Sequence, residues 1–248
     1  MIRKRLITVL TFNDGVLFRT KNFKPDYRYT HNFIDSWSVD EIVILNISRK
    51  SQSNQKLFFR VVSTFANNCF VPLSVGGGIR SINDVKLFLD SGADKVIINT
   101  GAIKKVNLIE DIATKYGKQC VVVSIDVKIN DKGIYEVYDS FGERNTGYTV
   151  LEWAEKAVRF GAGELMINSI DRDGSLLGYD INLCKLVSSN VKVPVLICGG
   201  AGNWKHFEEG LVAGGASAVC TNNIYHFTES SIKNAKNYLD KKGLKIRI

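Results

Sequence analysis

The stretch VPLSVGGG at 71–78 returns as VPVLICGG at 193–200. A chain of 248 residues that carries the same strand-and-glycine unit once in each half must house two equivalent units in one architecture. The repeat runs further than this pair. SGADKVIINT (91–100) is echoed by GGASAVCTNN (214–223), and DEIVILN (40–46) by GELMINS (163–169).

Short apolar runs recur between these landmarks, at 5–11, 41–47, 70–75, 94–99, 120–126, 163–168, 193–198 and 217–221. They are rich in Val and Ile and almost continuously apolar, as strands of a parallel sheet covered on its outer face must be. Segments with helical spacing separate them. SINDVKLFLDSGA puts Ile82, Val85, Leu87, Phe88 and Leu89 on a core stripe, with Ser81 and Asp84 as cap residues and Gly92 as the stop. TVLEWAEKAVRFGA ends similarly at Gly161, and SSIKNAKNYLDKKG ends in cations, which suit a helix C-terminus. Eight strand–helix units in about 250 residues fit an α/β fold of the (β/α)8 TIM-barrel type, one domain over 1–248 with half-barrels at about 1–118 and 119–248. A doubly wound open sheet is the alternative, but the repeat favours the barrel, in which equivalent units stand half a turn apart. The segment 127–146 alternates around Asn-Asp-Lys-Gly and predicts a hairpin inserted after the fifth strand.

Composition narrows the class. An apolar fraction of 45% and an aromatic fraction of 10% argue for a full core. No apolar run reaches the roughly 20 residues that span a bilayer. The opening MIRKRLITVLTF has too short an apolar run for a secretory leader and reads as a first strand, so the expected location is cytoplasmic, with no membrane. Five cysteines, odd in number and without CxxC spacing, read as buried unpaired thiols in a reducing compartment. His31, His206 and His226 do not fall at zinc-ligand spacings with them, and no metal or organic cofactor is indicated. The net charge of +8 reads as a solvated basic surface or as attraction for a multiply anionic ligand or an acidic partner. Nucleic acid is not expected, because no basic stripe interleaved with aromatics appears.

Glycines directly after a strand let backbone N–H groups approach an anion, and the helix start that follows attracts it. Gly76, Gly77 and Gly78 follow strand three; Gly199, Gly200 and Gly202 follow strand seven. Asn99, Thr100 and Gly101 follow strand four, and Thr221, Asn222 and Asn223 follow strand eight. Two such cradles on opposite sides of one mouth predict a long ligand with a phosphate at each end, although tight turns alone would also use these glycines. Asp126 ends strand five, where a carboxylate is a natural general acid or base. Asp171 and Asp173 with Gly174, after strand six, are either site residues or turn formers.

The motifs VGGGIR, GADKVIIN, GAGE, SIDRDG, GGAG and the late HF, in this order and spacing, resemble the cyclase subunit of imidazole glycerol phosphate synthase over essentially the whole chain. The resemblance implies a (β/α)8 barrel that binds a doubly phosphorylated substrate and uses ammonia from a glutaminase subunit docked at the opposite, N-terminal face. The candidate phosphate-binding residues at the two cradles and the loop after strand six are Gly77, Gly78, Asn99, Thr100, Asp173, Gly174, Gly199, Gly200, Asn222 and Asn223. The resemblance implies two catalytic aspartates, at the ends of strands one and five. Asp126 is the second; at the first this chain reads VLTFNDG, with Thr11 where the acid should stand. Threonine can hydrogen-bond but cannot hold a carboxylate's charge or shuttle a proton near neutral pH. Asn46, Arg19, Gly101, Asn222 and Asn223 also depart from the family pattern, and the loop from Asn22 to His31 looks shortened.

The other end has not drifted. Arg5, Glu41, Lys95 and Glu164 open strands one, two, four and six, where the resemblance implies an ammonia gate; Asp94 matches a residue facing the glutaminase. A salt-bridged plug is the structural alternative. An intact ammonia entry beneath a half-dismantled cyclase mouth resembles the paralogues associated with sugar amidation in surface polysaccharides, which supply ammonia to a separate sugar amidotransferase. The other readings are a genuine cyclase of histidine biosynthesis and a non-catalytic scaffold that binds a metabolite and activates the glutaminase.

Overall fold

A strand that is apolar at every position must be covered on both faces, and eight such strands satisfy this by closing into a cylinder. The computed structural model describes residues 3–14, 16–21, 23–29, 39–48, 55–221 and 231–246. Its strands are β1 (Arg5–Asn13), β2 (Val16–Lys21), β3 (Lys24–Tyr29), β4 (Glu41–Asn46), β5 (Leu73–Gly76), β6 (Lys95–Ile98), β7 (Val121–Ile129), β8 (Tyr135–Asp139), β9 (Arg144–Thr149), β10 (Glu164–Ser169), β11 (Val195–Cys198) and β12 (Ala218–Thr221). Eight of them run parallel in the order β1-β4-β5-β6-β7-β10-β11-β12. Pairing of β12 with β1 and of β7 with β10 completes the circle. The fold is a (β/α)8 TIM barrel, with α1 (Gln55–Asn68), α2 (Ile82–Asp90), α3 (Thr100–Lys104), α4 (Asn107–Tyr116), α5 (Val150–Arg159), α6 (Ile181–Asn190), α7 (Trp204–Val212) and α8 (Ser231–Lys241) following the strands.

Alternation along each strand splits the core in two. Leu6, Leu10, Phe12, Ile42, Ile44, Val121 and Val123 point outward and join the helices in the larger cluster. Ile7, Val9, Val43, Ile97, Val122, Met166, Leu196, Ala218 and Cys220 point inward and fill the bore. Helix starts are fixed by polar side chains. Ser81 with Asp84, and Thr149 with Glu152, each form a reciprocal capping box at α2 and α5, satisfying two N–H groups that the helix leaves open. Leu87 departs from the expected core stripe of α2: it is 47% exposed, because the face that packs inward is the one carrying Val85 and Phe88.

Two antiparallel hairpins rise from the mouth of the barrel. The expected one after β7 forms from the extension of β7 with β8, and β9 adds a further strand. The other, β2–β3, extends β1 and has no counterpart in the sequence reading, which treated this stretch as loop. All five cysteines are free; Cys120, Cys184 and Cys220 are buried, whereas Cys69 and Cys198 are only half-buried, short of the full burial expected. No helix among the described residues is long and apolar enough to cross a membrane.

The last helix is locked to the barrel by a buried ion pair. Lys236 Nζ of α8 donates to Asp40 Oδ1 at 2.8 Å, while Asp40 Oδ2 accepts from the Leu6 N–H at 2.8 Å. Both residues are almost inaccessible, at 7% and 4% exposure. Removing one partner strands a charge in the interior, which costs roughly 3–5 kcal/mol. Lys236→Ala is therefore expected to lower unfolding stability on that scale in urea titrations. Lys86→Ala, which removes an exposed pair with Asp90, is expected to leave the midpoint in place.

Candidate functional site

The strand ends that form the mouth bring polar side chains to the bore. On β1, alternation sends Arg5, Ile7, Val9 and Thr11 inward. On β7 the corresponding inward residues are Val122, Ser124 and Asp126. β1 and β7 stand four strands apart in a ring of eight, so Thr11 and Asp126 lie on opposite walls of the mouth. Both are buried, at 5% and 8% exposure.

Asp126 is held from both sides. Asn99, at the end of β6, donates its amide to Oδ2 at 2.7 Å, and Asn168, on β10, donates to Oδ1 at 3.3 Å. Both donors are neutral, so they orient the carboxylate without supplying a compensating charge. Burial pushes the Asp126 carboxyl up to about 7, the two amides pull it down, and the fields of Asp173 and Asp139 raise it further. A carboxyl titrating near neutrality can give or take a proton under ordinary conditions. The amide oxygens of Asn99 and Asn168 are buried without a hydrogen-bond partner. Two open acceptors beside the carboxyl make this part of the mouth receptive to a ligand that donates hydrogen bonds.

The hairpins produce the burial. The Phe23 N–H, at the β2–β3 turn, donates to Asp173 Oδ2 at 3.0 Å, so the first hairpin reaches across the mouth to the loop after β10. A β-carbon on Gly142, at the β8–β9 turn, would lie 3.1 Å from both Phe23 and Ile170 side-chain carbons. The two turns and the β10 loop therefore meet. Ser140 on the second hairpin donates its N–H to Thr100 Oγ1 at 3.2 Å. Asp139 beneath it is fully buried, with its carboxyl held below the ordinary range by the Arg144 guanidinium.

The glycine cradles occupy equivalent positions. Gly77 has φ +111° and Gly199 φ +89°. A β-carbon on Gly77 would lie 2.3 Å from the Asn46 carbonyl of the neighbouring strand; one on Gly199 would lie 2.8 Å from the Ser169 carbonyl. Close backbone packing thus requires glycine at both. Gly78 is different: a β-carbon there would meet nothing within 4 Å, so it borders open space. Gly200 packs on the Gly178 carbonyl, and Gly174 takes a positive φ of +69°. Gly101 has a local reason too, since a β-carbon would sit 2.1 Å from the Ile79 carbonyl. Asn222 and Asn223 lie outside the described residues, as do His31 and His226.

At the opposite end of the bore the four strand-start residues meet. Arg5 reaches Glu41 at 2.8 Å and Glu164 at 2.9 Å; Lys95 reaches the same two at 3.0 Å and 3.2 Å. Charges alternate around a closed ring. Glu41, at 1% exposure, also accepts from Ser74 Oγ at 2.6 Å. Burial opposes the Arg5 charge, but Glu164 and Glu41 outweigh it and hold the guanidinium above its ordinary value. Beside the ring, Asp94 is exposed and accepts from the Leu73 N–H at 2.8 Å. It lines a groove with Cys69, Phe70, Pro72 and Gly92, in which Phe70 is 76% exposed. Among the described residues no cluster of three or more His, Cys, Asp or Glu side chains is arranged to hold a metal ion.

Sequence reasoning missed the amide clamp on Asp126, the Ser74 contact and Phe70. Asn168 directly precedes SIDRDG, three residues ahead of Asp171, and its inward position on β10 was the available signal. A closed parallel barrel with a titratable carboxyl, glycine-rich strand ends and roofing hairpins at one mouth places the chain in the (β/α)8 class, whose sites lie at this end of the strands. The histidine biosynthesis protein family model matches residues 8–231, and the chain belongs to that family. The family consists of barrel isomerases and cyclases of histidine biosynthesis.

A raised carboxyl links the site to stability. Asp126 keeps its proton in the folded chain up to about pH 7 but loses it near 3.9 when unfolded. Between those values the folded state binds more protons, so stability falls as pH rises and levels off above about 7. Asp126→Asn is expected to flatten that slope in denaturation curves recorded across pH 4–8. Asn168→Ala, by removing a donor to the ionised form, is expected to move the Asp126 midpoint upward when the carboxyl is followed by carbon-13 NMR.

Proposed function

We propose that this chain is a barrel subunit that takes up ammonia from a glutaminase docked on its underside. At its mouth it acts on or beside a phosphorylated ligand, as a cytoplasmic paralogue of the cyclase that supplies ammonia for sugar amidation in surface-polysaccharide synthesis. The observation that carries this reading is the contrast between the two ends of one bore. The floor retains Arg5, Glu41, Lys95 and Glu164 as a closed ring. The mouth pairs Asp126 with Thr11 on the opposite wall, and a single carboxyl there cannot divide proton transfer between two acids.

Physical chemistry supports the direction of flow. The bore above the ring is lined by Ile7, Val43, Ile97, Val122, Met166 and Leu196. Ammonium would have to shed its hydration to enter such a lining, whereas neutral ammonia enters at far smaller cost. Buried ion pairs repay desolvation poorly, so four charges are a poor way to build a plug. Phe70 and Asp94 in the adjoining groove supply an exposed aromatic anchor and a charge, the ingredients of a docking face. At the mouth, Gly77, Gly78, Asn99, Thr100, Asp173, Gly174, Gly199 and Gly200, with Asn222 and Asn223, would receive the phosphates. The ammonia would pass to a separate sugar amidotransferase.

One observation favours a second reading, a genuine cyclase of histidine biosynthesis. Asp126 titrates at about 7 and needs no partner acid for a single proton transfer, and a water held by Thr11 could serve the opposite wall.

The assay that separates them uses the purified chain with its cognate glutaminase. Glutamine hydrolysis is expected to rise on mixing, with no conversion of the histidine precursor. Robust turnover of that precursor by the wild type overturns the paralogue reading in favour of the cyclase. Loss of an acid or base costs about 10²–10⁴ in rate, so a large gain in Thr11→Asp would mean that the rest of the mouth still suits that substrate.

A further inference from the structure

Two thiols face each other inside the barrel wall. β11 and β12 run parallel with Leu196 opposite Ala218 and Ile197 opposite Val219; one step further along, Cys198 comes opposite Cys220. Cys220 belongs to the bore cluster, and Cys198 packs against its edge. Neighbouring strands lie about 4.8 Å apart, within the Cα separation of roughly 4.4–6.8 Å that a disulfide spans. Both side chains lie on the inward face of the sheet, so the two thiols are neighbours on the same side of adjacent strands. Their exposure differs: Cys220 is fully buried, whereas Cys198, at the strand end toward the mouth, is half-buried. The other three cysteines sit elsewhere. Cys69 lies in the underside groove, Cys120 at the entry to β7, and Cys184 in α6 against Gly214.

We propose that Cys198 and Cys220 form a reversible oxidative modification site, in which a hydroperoxide converts the pair to a disulfide. The sulfur of Cys198, the less buried of the two residues, attacks the peroxide oxygen. The O–O bond breaks, leaving Cys198 as a sulfenic acid and releasing water or an alcohol. The Cys220 sulfur then displaces the hydroxyl, which leaves as water with the Cys220 proton. Two thiols have given up two electrons and the peroxide has been reduced. A small thiol reverses the reaction by exchange at Cys198, the less buried partner. The adjacent Cys198 side chain and burial together push the Cys220 thiol up and favour its protonated form, which assigns it the second step. Cys198 directly precedes Gly199 and Gly200, whose backbone is packed on Ser169 and Gly178. Drawing the sulfurs together therefore pulls on the glycine turn at the mouth, whatever ligand that mouth receives.

The test is peptide mapping by mass spectrometry without reductant, after the full chain has been treated with hydrogen peroxide and then alkylated. The expected result is one cross-linked peptide pair joining Cys198 to Cys220, an intact mass lower by two hydrogens, and full reversal by dithiothreitol. Cys220→Ala is expected to leave Cys198 as a sulfenic acid that dimedone traps, and Cys198→Ala to leave Cys220 unmodified, with circular dichroism unchanged in both. Oxidation of wild-type Cys198 to a sulfinic acid without cross-linking would overturn the proposal. So would modification of Cys220 in Cys198→Ala, or resistance of both thiols to peroxide that oxidises free glutathione.

Discussion

Glu41 is a carboxylate taken almost wholly out of water, and it survives there because three donors converge on it: Arg5, Lys95 and Ser74. Glu164 completes the circuit by binding the same two cations. Each charge in the ring is compensated twice, so none is stranded, and the group is neutral as a whole. A ring of this kind depends on four strands of the cylinder being in register. It also defines the chemistry of everything above it. A neutral, closed floor lets the bore be apolar, and an apolar bore makes charge transfer through it unfavourable.

The mouth solves a different problem. Two hairpins and the β10 loop meet over it and dry out Asp126, while the donors supplied to that carboxylate are amides rather than cations. The outcome is an acid poised near neutrality instead of a fixed anion. Had Asn99 or Asn168 been Arg or Lys, the carboxyl would be pinned as an anion and unable to exchange a proton. On the opposite wall Thr11 offers a hydroxyl at a place where the cyclase pattern has a second acid. The two ends of the barrel therefore differ in kind, with a charge-paired ring at one, a packed apolar core between, and a carboxyl that titrates near neutrality at the other.

Much of this was legible in the sequence because it follows from local rules. The eight barrel strands announced themselves as Val- and Ile-rich runs, and the ring residues could be found because each opens such a run. The β8 hairpin was marked by alternation around Asn-Asp-Lys-Gly. The β2–β3 hairpin was not, since Pro25 and the charges around it read as loop, and its strands are defined by pairing with the end of β1. Leu87 was misplaced because its spacing fits the apolar stripe while the packing of α2 turns it outward. Long-range polar partners were invisible. Nothing near Lys236 points to Asp40, and nothing near Asn168 points to Asp126, because only closure of the barrel brings them together.

The central claim is that the floor ring is the part of the barrel through which a glutaminase and its ammonia communicate with the mouth. The most direct measurement compares glutamine hydrolysis by the glutaminase in the presence of the wild-type chain and of Lys95→Met, which fills the same space but opens the ring. The account predicts that the wild type accelerates hydrolysis and that the folded variant binds the glutaminase yet loses most of the acceleration. Equal acceleration by both chains, or none by the wild type, would contradict it.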